Sequence, residues 1–194
     1  MAESPILLSA VAQAHVLVER AVHAGATVVD ATAGNGHDTA YLARLVGPAG
    51  RVLAFDVQPE ALAATRHRLV TAGLLDRVRL VAQGHETMAG EVGEAPRLQA
   101  VMFNLGYLPG GPSKALTTQP RTTLVALEAA WARLAPGGLI TVVCYTGHPG
   151  GLEETRAVEA WATGLEAGQA RMLSYRFLNQ TAPPRLLAIE RRIT

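Results

Sequence analysis

The feature that most constrains the fold is a short apolar run that breaks into a glycine-rich turn within residues 28–39. Val28 and Val29 predict the end of a buried strand, and the residues after the turn resume a helical pattern. Gly34 and Gly36 allow backbone angles and close approach that a side chain would forbid. Because the following helix points unpaired N–H groups into the turn, we expect it to hold a small ligand by its backbone.

The choice of ligand depends on what the turn lacks. A dinucleotide site uses Gly-x-Gly-x-x-Gly, in which the third glycine lets helix and strand pack closely. Thr39 occupies that third position, and Asp30 and Asp38 flank the turn. Two carboxylates would repel a pyrophosphate, but they suit a ligand that carries an ammonium and a sulfonium. The turn therefore favours S-adenosylmethionine (SAM) over NAD, with an ordinary strand-to-helix turn as the simpler alternative.

Further polar residues follow the next predicted strands. Asp56 ends the second strand, where an acid can accept hydrogen bonds from both ribose hydroxyls, and Gln58 is placed to assist. Gly84 and His85 follow the third strand, where the adenine edge would lie. The predicted SAM-binding residues are Asp30, Gly34, Asn35, Gly36, Asp38, Thr39, Asp56, Gln58, Gly84, His85 and Asn104.

Strand and helix periodicities alternate along the chain. A leading helix is predicted from Ser4-Pro5 to Gly25. After the first strand, further strands are predicted at 51–55, 78–82, 100–103, 139–144, 172–178 and 186–190. The last two lie so close together that only antiparallel pairing can join them. We expect an α/β fold in one domain, residues 1–194, with a doubly wound, mostly parallel, Rossmann-like seven-stranded sheet and an antiparallel terminal strand.

Composition narrows the class of protein. Apolar residues make up 49% of the 194 residues and charged residues 17%, with no apolar run long enough to cross a bilayer. The start of the chain lacks a secretion signal, so the cytoplasm is the expected location. A net charge of +1 argues against a polycation that binds nucleic acid non-specifically. Cys144 is the single cysteine, which excludes an internal disulfide and a multi-cysteine metal site, and no metal is expected.

The end of the fourth predicted strand indicates what kind of chemical group accepts the methyl group. Asn104 followed by Tyr107 resembles the Asn/Asp-Pro-Pro-Tyr loop of methyltransferases that act on amino nitrogens. In that loop the amide oxygen and a backbone carbonyl accept N–H bonds and aim the nitrogen lone pair, while the aromatic ring packs on the target base. Leu105-Gly106 replaces Pro-Pro here, and a plain turn after the strand is the alternative.

Four segments together resemble one family, in order along nearly the whole chain. They are residues 30–39, 55–58, 104–111 with Lys114, and 145–153. On these segments the chain is similar to the YtqB/MnmM-like family, long labelled rRNA methylases. The resemblance implies a class I SAM-dependent methyltransferase, in particular one for the aminomethyl group of 5-aminomethyl-2-thiouridine at the tRNA wobble position. Pro112-Ser113 departs from the family pattern, in which we expect an acidic residue.

The implied substrate sets a requirement on the site. An alkyl amine is mainly protonated at neutral pH, with a pKa below the roughly 10.4 of lysine, and a protonated amine cannot attack. Asn104 can accept a bond from the amine without adding charge, and His148, His85 and Tyr107 are candidate proton acceptors. The predicted catalytic residues are Asn104, Tyr107 and His148, and the predicted substrate-binding residues are Tyr107, Lys114 and Tyr145. Lys114 is interpreted as an RNA phosphate or loop contact, with a solvated loop lysine as the alternative, and His148 could instead stabilise the loop after the fifth strand.

Several alternatives remain at this stage. The expected partner is RNA, in particular the anticodon region of tRNA, with a homodimer as a source of additional RNA-binding surface and no membrane partner. Ribosomal RNA or a small molecule could instead be the methyl acceptor. A NAD-binding oxidoreductase is disfavoured by Thr39 and by the absence of a convincing hydride-transfer acid or base. A cofactor-binding module without catalysis is the third alternative.

Overall fold

The computed structural model describes residues 5–93, 97–106 and 117–193. The strands are β1 (Thr27–Asp30), β2 (Arg51–Phe55), β3 (Val78–Val81), β4 (Leu98–Asn104), β5 (Leu134–Cys144), β6 (Ala170–Tyr175) and β7 (Arg185–Arg191). The α-helices are α1 (Ala10–Ala21), α2 (His37–Leu45), α3 (Pro59–Thr71), α4 (Met88–Val92), α5 (Pro120–Arg133) and α6 (Gly151–Thr163), with 3₁₀ turns at Leu75–Arg77 and His85–Thr87.

The strands form one sheet in the order β3-β2-β1-β4-β5-β7-β6. Neighbours from β3 to β5 pair in parallel, whereas β7 pairs antiparallel with both β5 and β6. The predicted mostly parallel sheet with an antiparallel terminal strand is confirmed. The strand order reverses between β1 and β4, and in sheets of this kind ligands bind at the carboxyl ends of the strands beside such a reversal.

The sheet is buried on both faces because its central strands are apolar on both. Alternation along β1 sends Val28 and Val29 into different cores. The core that contains Val28 is covered by α1, α2 and α3, and the core that contains Val29 by α4, α5 and α6. An apolar run such as 100–103 in β4 is typical of a parallel strand that helices cover on both faces.

The predicted start of the leading helix is wrong. The helix begins at Ala10, and the hydroxyl of Ser9 caps it by accepting the Ala12 N–H at 3.2 Å. Ser4-Pro5 offers the same start pattern, but the Ile6 side chain is 97% exposed, so packing does not stabilise a helix there. The helix therefore starts after Ser9, because the residues that follow this cap form an apolar face that packs on the sheet.

The fifth strand begins earlier than predicted. Leu134 pairs with Leu98, and Leu139 pairs with Ala100. The segment 135–138 therefore lies opposite Gln99 alone and forms an irregularity within β5. None of the helices in the described ranges is long and apolar enough to cross a membrane.

Candidate active site

A cavity of about 720 Å³ opens at the carboxyl ends of the central strands, beside the reversal in strand order. It brings together segments that follow six of the seven strands, β1 to β6. Of the predicted site residues, those that line it are Gly34, Asn35, Asp38, Asp56, Gln58, Gly84, His85, Asn104, Tyr145 and His148. Within the described residues, no three His, Cys, Asp or Glu side chains are grouped to hold a metal ion.

The glycine turn is held in place by the second strand and by α3. The Asp56 carboxylate accepts the Gly34 N–H through Oδ2 and the Gln58 N–H through Oδ1, both at 2.9 Å. The Thr65 hydroxyl donates to the Gly34 carbonyl at 2.9 Å. At Gly36, where φ is +76°, a Cβ would lie 2.8 Å from the Thr65 Cα. Gly36 therefore permits the turn to pack on α3, and it does not line the cavity.

Asp30 and Thr39 lie behind the cavity wall. Asp30 is 1% exposed, and its carboxylate accepts the Thr39 hydroxyl at 2.5 Å and the Thr32 N–H at 3.1 Å. Neither Asp30 nor Thr39 lines the cavity. In this structure Asp30, Gly36 and Thr39 support the turn from behind the cavity wall, and their predicted contacts with a cofactor stay predictions.

Burial changes the ionisation of Asp30. Removal from water raises the pKa of this carboxyl to about 7, and the nearby Asp38 adds to the rise. The hydrogen bonds from Thr39 and Thr32 oppose it. Asp30 is therefore a carboxyl group that titrates near neutral pH directly behind the ligand cavity.

Asp30→Asn should change how stability depends on pH. Since the pKa in the folded state lies above the usual 3.8, the folded protein holds this proton more tightly than the unfolded chain does. The free energy of unfolding contributed by Asp30 therefore falls as pH rises from about 4 through 7. Between pH 5 and pH 8 we expect the free energy of unfolding of the wild type, measured in urea titrations, to fall by about 2–3 kcal/mol relative to that of the variant.

The control for this experiment is Asp76→Asn, which changes an exposed aspartate. Its stability difference from the wild type should stay constant over the same pH range. A difference between Asp30→Asn and the wild type that is the same at pH 5 and pH 8 would show that Asp30 does not titrate in this way.

The Asp38 carboxylate contacts His15, a residue to which the sequence assigns no role. His15 Nε2 lies 2.7 Å from Asp38 Oδ1, and the His15 ring stacks on Tyr41 at a centroid distance of 4.1 Å. The Tyr41 hydroxyl donates to the His15 carbonyl at 2.7 Å. The contact orients a cavity-lining carboxylate from α1, and no sequence spacing indicates it because α1 and α2 meet only in the fold.

His85 forms a neutral part of the wall. Its Nδ1–H donates to the Ala31 carbonyl at 3.1 Å, its ring packs edge-on against Phe103, and only 6% of the residue is exposed. Burial lowers its pKa. The proton on Nδ1 leaves Nε2 unprotonated, and Nε2 lies 3.5 Å from the Thr123 hydroxyl, whose single proton is donated to Glu154.

Asn104 lies at the carboxyl end of β4, next to the turn. Its backbone N–H donates to the Thr32 hydroxyl at 2.8 Å, which ties the end of β4 to the segment after β1. Tyr107 and Lys114, the other residues predicted in this loop, lie outside the described residues, so their roles stay predictions.

The glycine-rich loop after β5 places His148 beside the end of β4. The His148 Nδ1–H donates to the Pro149 carbonyl at 3.0 Å. A Cβ at Gly106 would lie 3.6 Å from His148 Nε2, and a Cβ at Gly151 would lie 2.1 Å from the Tyr145 carbonyl oxygen. Gly151 is therefore required for the tight turn into α6. Burial, and then Asp38, raises the pKa of Tyr145, which keeps its phenol protonated at neutral pH.

Two C-terminal arginines, Arg185 and Arg191, are half-buried and bind other parts of the fold. Arg185 pairs with Glu159. Arg191 donates to the Trp131 carbonyl at 2.8 Å and lies over the Trp131 ring, 4.9 Å from its centroid. These contacts favour a structural role for Arg185 and Arg191.

Comparison with known proteins places the chain among methyltransferases. A family model described as "Putative rRNA methylase" matches residues 52–190, and a model for protein-L-isoaspartate (D-aspartate) O-methyltransferase matches residues 4–96. A chloroplastic "tRNA (mnm(5)s(2)U34)-methyltransferase" from Arabidopsis thaliana is 42% identical over 187 residues, which span 92% of this chain and 68% of that protein.

Solved structures agree with this placement. A "putative rRNA-methylase" from Clostridium thermocellum superposes with a TM-score of 0.91 at 42% identity, over 96% of this chain and 100% of that one. A "putative methyltransferase" from Streptococcus mutans in complex with SAH superposes with a TM-score of 0.85 at 34% identity, over 96% and 99% of the two chains. The similarity therefore extends over nearly the whole chain.

Proposed function

We propose that this chain, which belongs to the "Putative rRNA methylase" family of class I SAM-dependent methyltransferases and acts on RNA, has one specific substrate. It N-methylates the aminomethyl group of 5-aminomethyl-2-thiouridine at the tRNA wobble position. The name of the Arabidopsis relative, 42% identical over most of this chain, supports this substrate. The structural observation that carries the proposal is that one cavity joins the glycine turn to Asn104, an uncharged acceptor suited to an amine.

The cavity fits SAM in volume and in polarity. About 720 Å³ lies within the usual range for cofactor sites. Each Asp56 carboxylate oxygen accepts one backbone N–H and has a further lone pair, so we propose that Asp56 also accepts the ribose hydroxyls. Gln58 Oε1 is buried and has no hydrogen-bond partner among the described residues, so a donor on the ligand would satisfy it.

We propose that Asn104 positions the amine. SAM supplies an electrophilic methyl group on a sulfonium. The Asn104 side-chain oxygen can accept an N–H from the amine and so aim the nitrogen lone pair at the methyl group. Alignment of this kind can remove a large part of the activation barrier. The bond from the Asn104 N–H to Thr32 fixes the backbone from which that side chain extends.

His148 is the proposed proton acceptor. An aminomethyl group must lose a proton before it attacks, and a base within reach removes it. With Nδ1–H donated to Pro149, Nε2 is the unprotonated ring nitrogen of His148, and it lies between Gly106 and Gly151, where a Cβ would be 3.6 Å and 2.8 Å away. His85 is less suited because burial holds it neutral and its Nε2 lies near Thr123. Tyr145 stays protonated and is proposed to donate a hydrogen bond to substrate.

We propose that the RNA contact extends beyond this cavity. Tyr107 is assigned to the target base and Lys114 to a phosphate of the anticodon region, both as proposals from the sequence. Because the net charge is only +1, a second copy of the chain would add RNA-binding surface. A cytoplasmic location, where tRNA is available, completes the proposal.

Ribosomal RNA is the second candidate, because the family description names it. The two candidates are separated by incubating the protein and methyl-labelled SAM with hypomodified tRNA and, in parallel, with ribosomal RNA. We expect label in tRNA alone. Label in ribosomal RNA alone would overturn the tRNA assignment and leave the methyltransferase assignment intact.

A further inference from the structure

We propose that Glu154 is a positioning residue for methyl transfer, which acts through the Thr118 hydroxyl to fix the backbone at Gly106 and thereby the end of β4 that carries Asn104. The inference rests on the proposed function and deepens it. Glu154 lies outside the cavity lining, and the sequence pattern did not single it out.

Glu154 is a carboxylate buried in the interior. It lies on α6, is 2% exposed, and accepts the Thr118 hydroxyl through Oε2 at 2.7 Å and the Thr123 hydroxyl through Oε1 at 2.6 Å. Burying a carboxylate is costly, and a well-packed apolar side chain is often at least as stabilising at such a position. A contribution to folding stability therefore does not by itself explain a carboxylate at position 154, and the two hydroxyl groups that it binds indicate a second role.

Thr118 passes the effect of that carboxylate to the end of β4. Its hydroxyl oxygen accepts the Gly106 N–H at 2.9 Å, and its own N–H donates to the Gly106 carbonyl at 3.1 Å. Because a carboxylate can only accept, the Thr118 hydroxyl proton must point to Glu154, which leaves the oxygen lone pairs to face Gly106. Glu154 thus sets the direction of the bond that holds Gly106.

Gly106 completes a series of restrained amides after the strand. The Asn104 N–H is held by the Thr32 hydroxyl at 2.8 Å, and the Leu105 N–H donates to the Val143 carbonyl at 2.9 Å. Gly106 follows with φ +133°, a conformation that favours glycine. Three separate segments therefore hold three consecutive amides. Since a misplacement of about 1 Å can cost about 100-fold in rate, release of one of them should lower turnover.

The test compares Thr118→Val with Thr118→Ser. Valine has nearly the shape of threonine but cannot accept the Gly106 N–H, whereas serine retains the hydroxyl. We expect Thr118→Val to lower kcat on tRNA by about tenfold or more, with the Kd for SAM changed by less than about twofold. Thr118→Ser should recover kcat to within about threefold of the wild type. Glu154→Gln should follow Thr118→Val, and the exposed neighbour Glu153→Gln serves as its control.

Two results would overturn the inference. One is a Thr118→Val kcat within about twofold of the wild type on an RNA that the wild type methylates, which leaves the proposed function standing. The other is unchanged hydrogen exchange at the Gly106 amide in Thr118→Val, where we expect exchange to accelerate at least about tenfold. The exchange measurement needs no RNA, so it tests the restraint even if the tRNA assignment fails.

Discussion

Asp56→Ala is expected to weaken SAM binding by about 100-fold or more, measured as the Kd in equilibrium dialysis with labelled SAM. The carboxylate holds the Gly34 and Gln58 amides, and we propose that it also accepts the ribose hydroxyls. Hydrogen bonds to a charged group are worth about 1.5–3 kcal/mol each, and two of them correspond to the expected loss. The variant therefore loses both ligand contacts and the support of the turn.

Asp56→Asn sharpens this experiment. Its NH₂ group would meet the N–H of Gly34 or Gln58, so a donor would face a donor, and we expect a loss close to that of alanine. Asp76→Ala, at an exposed aspartate, should bind SAM as the wild type does. SAM binding by folded Asp56→Ala within about threefold of the wild type would exclude Asp56 as a cofactor residue.

Asn104→Ala is expected to retain SAM and lose turnover. The substitution removes the side-chain acceptor proposed for the amine but leaves the backbone bond to Thr32 in place. We expect kcat to fall by about 100-fold or more, while the Kd for SAM changes by less than about threefold. Steady-state methyl transfer to tRNA at saturating SAM, with SAM dialysis in parallel, measures both quantities.

Asn104→Asp is the matched variant because it keeps an acceptor oxygen of the same reach. Its added charge favours the protonated amine, so we expect partial activity with an optimum at higher pH than the wild type. An equal loss of SAM binding and turnover in Asn104→Ala would make Asn104 a cofactor residue only.

The strands were predictable because their signal is local. Residues 51–55 form β2 as predicted, since an apolar run between a glycine turn and an acid needs no distant partner to be recognised. The start of α1 was missed because Ser4 and Ser9 both offer a cap, and only tertiary packing chooses between them. Local pattern therefore predicts the elements better than their ends.

The face on which a side chain lies was less predictable. Asp30 and Asp38 both flank the turn, yet only Asp38 lines the cavity, because Asp30 is turned toward Thr39. Similarly, Glu153 and Glu154 are neighbours on α6, but one is exposed and the other buried. Proximity to a motif in sequence does not specify which way a side chain points.

Contacts between distant segments left no sequence signal at all. Glu154 meets Thr118 across 36 residues, and His15 meets Asp38 across 23. Both pairs form only when helices pack on the completed sheet. A single sequence therefore indicates the cofactor turn and the end of β4, but not the side chains that hold them in place.

The central claim is tested most directly by the nucleosides of tRNA. Hypomodified tRNA that carries 5-aminomethyl-2-thiouridine is incubated with the protein and SAM, digested, and analysed by mass spectrometry. The account predicts loss of this nucleoside and an equal gain of a product heavier by one methyl group on the aminomethyl nitrogen. An unchanged amount of 5-aminomethyl-2-thiouridine, or a methyl group on a different nucleoside, would contradict it.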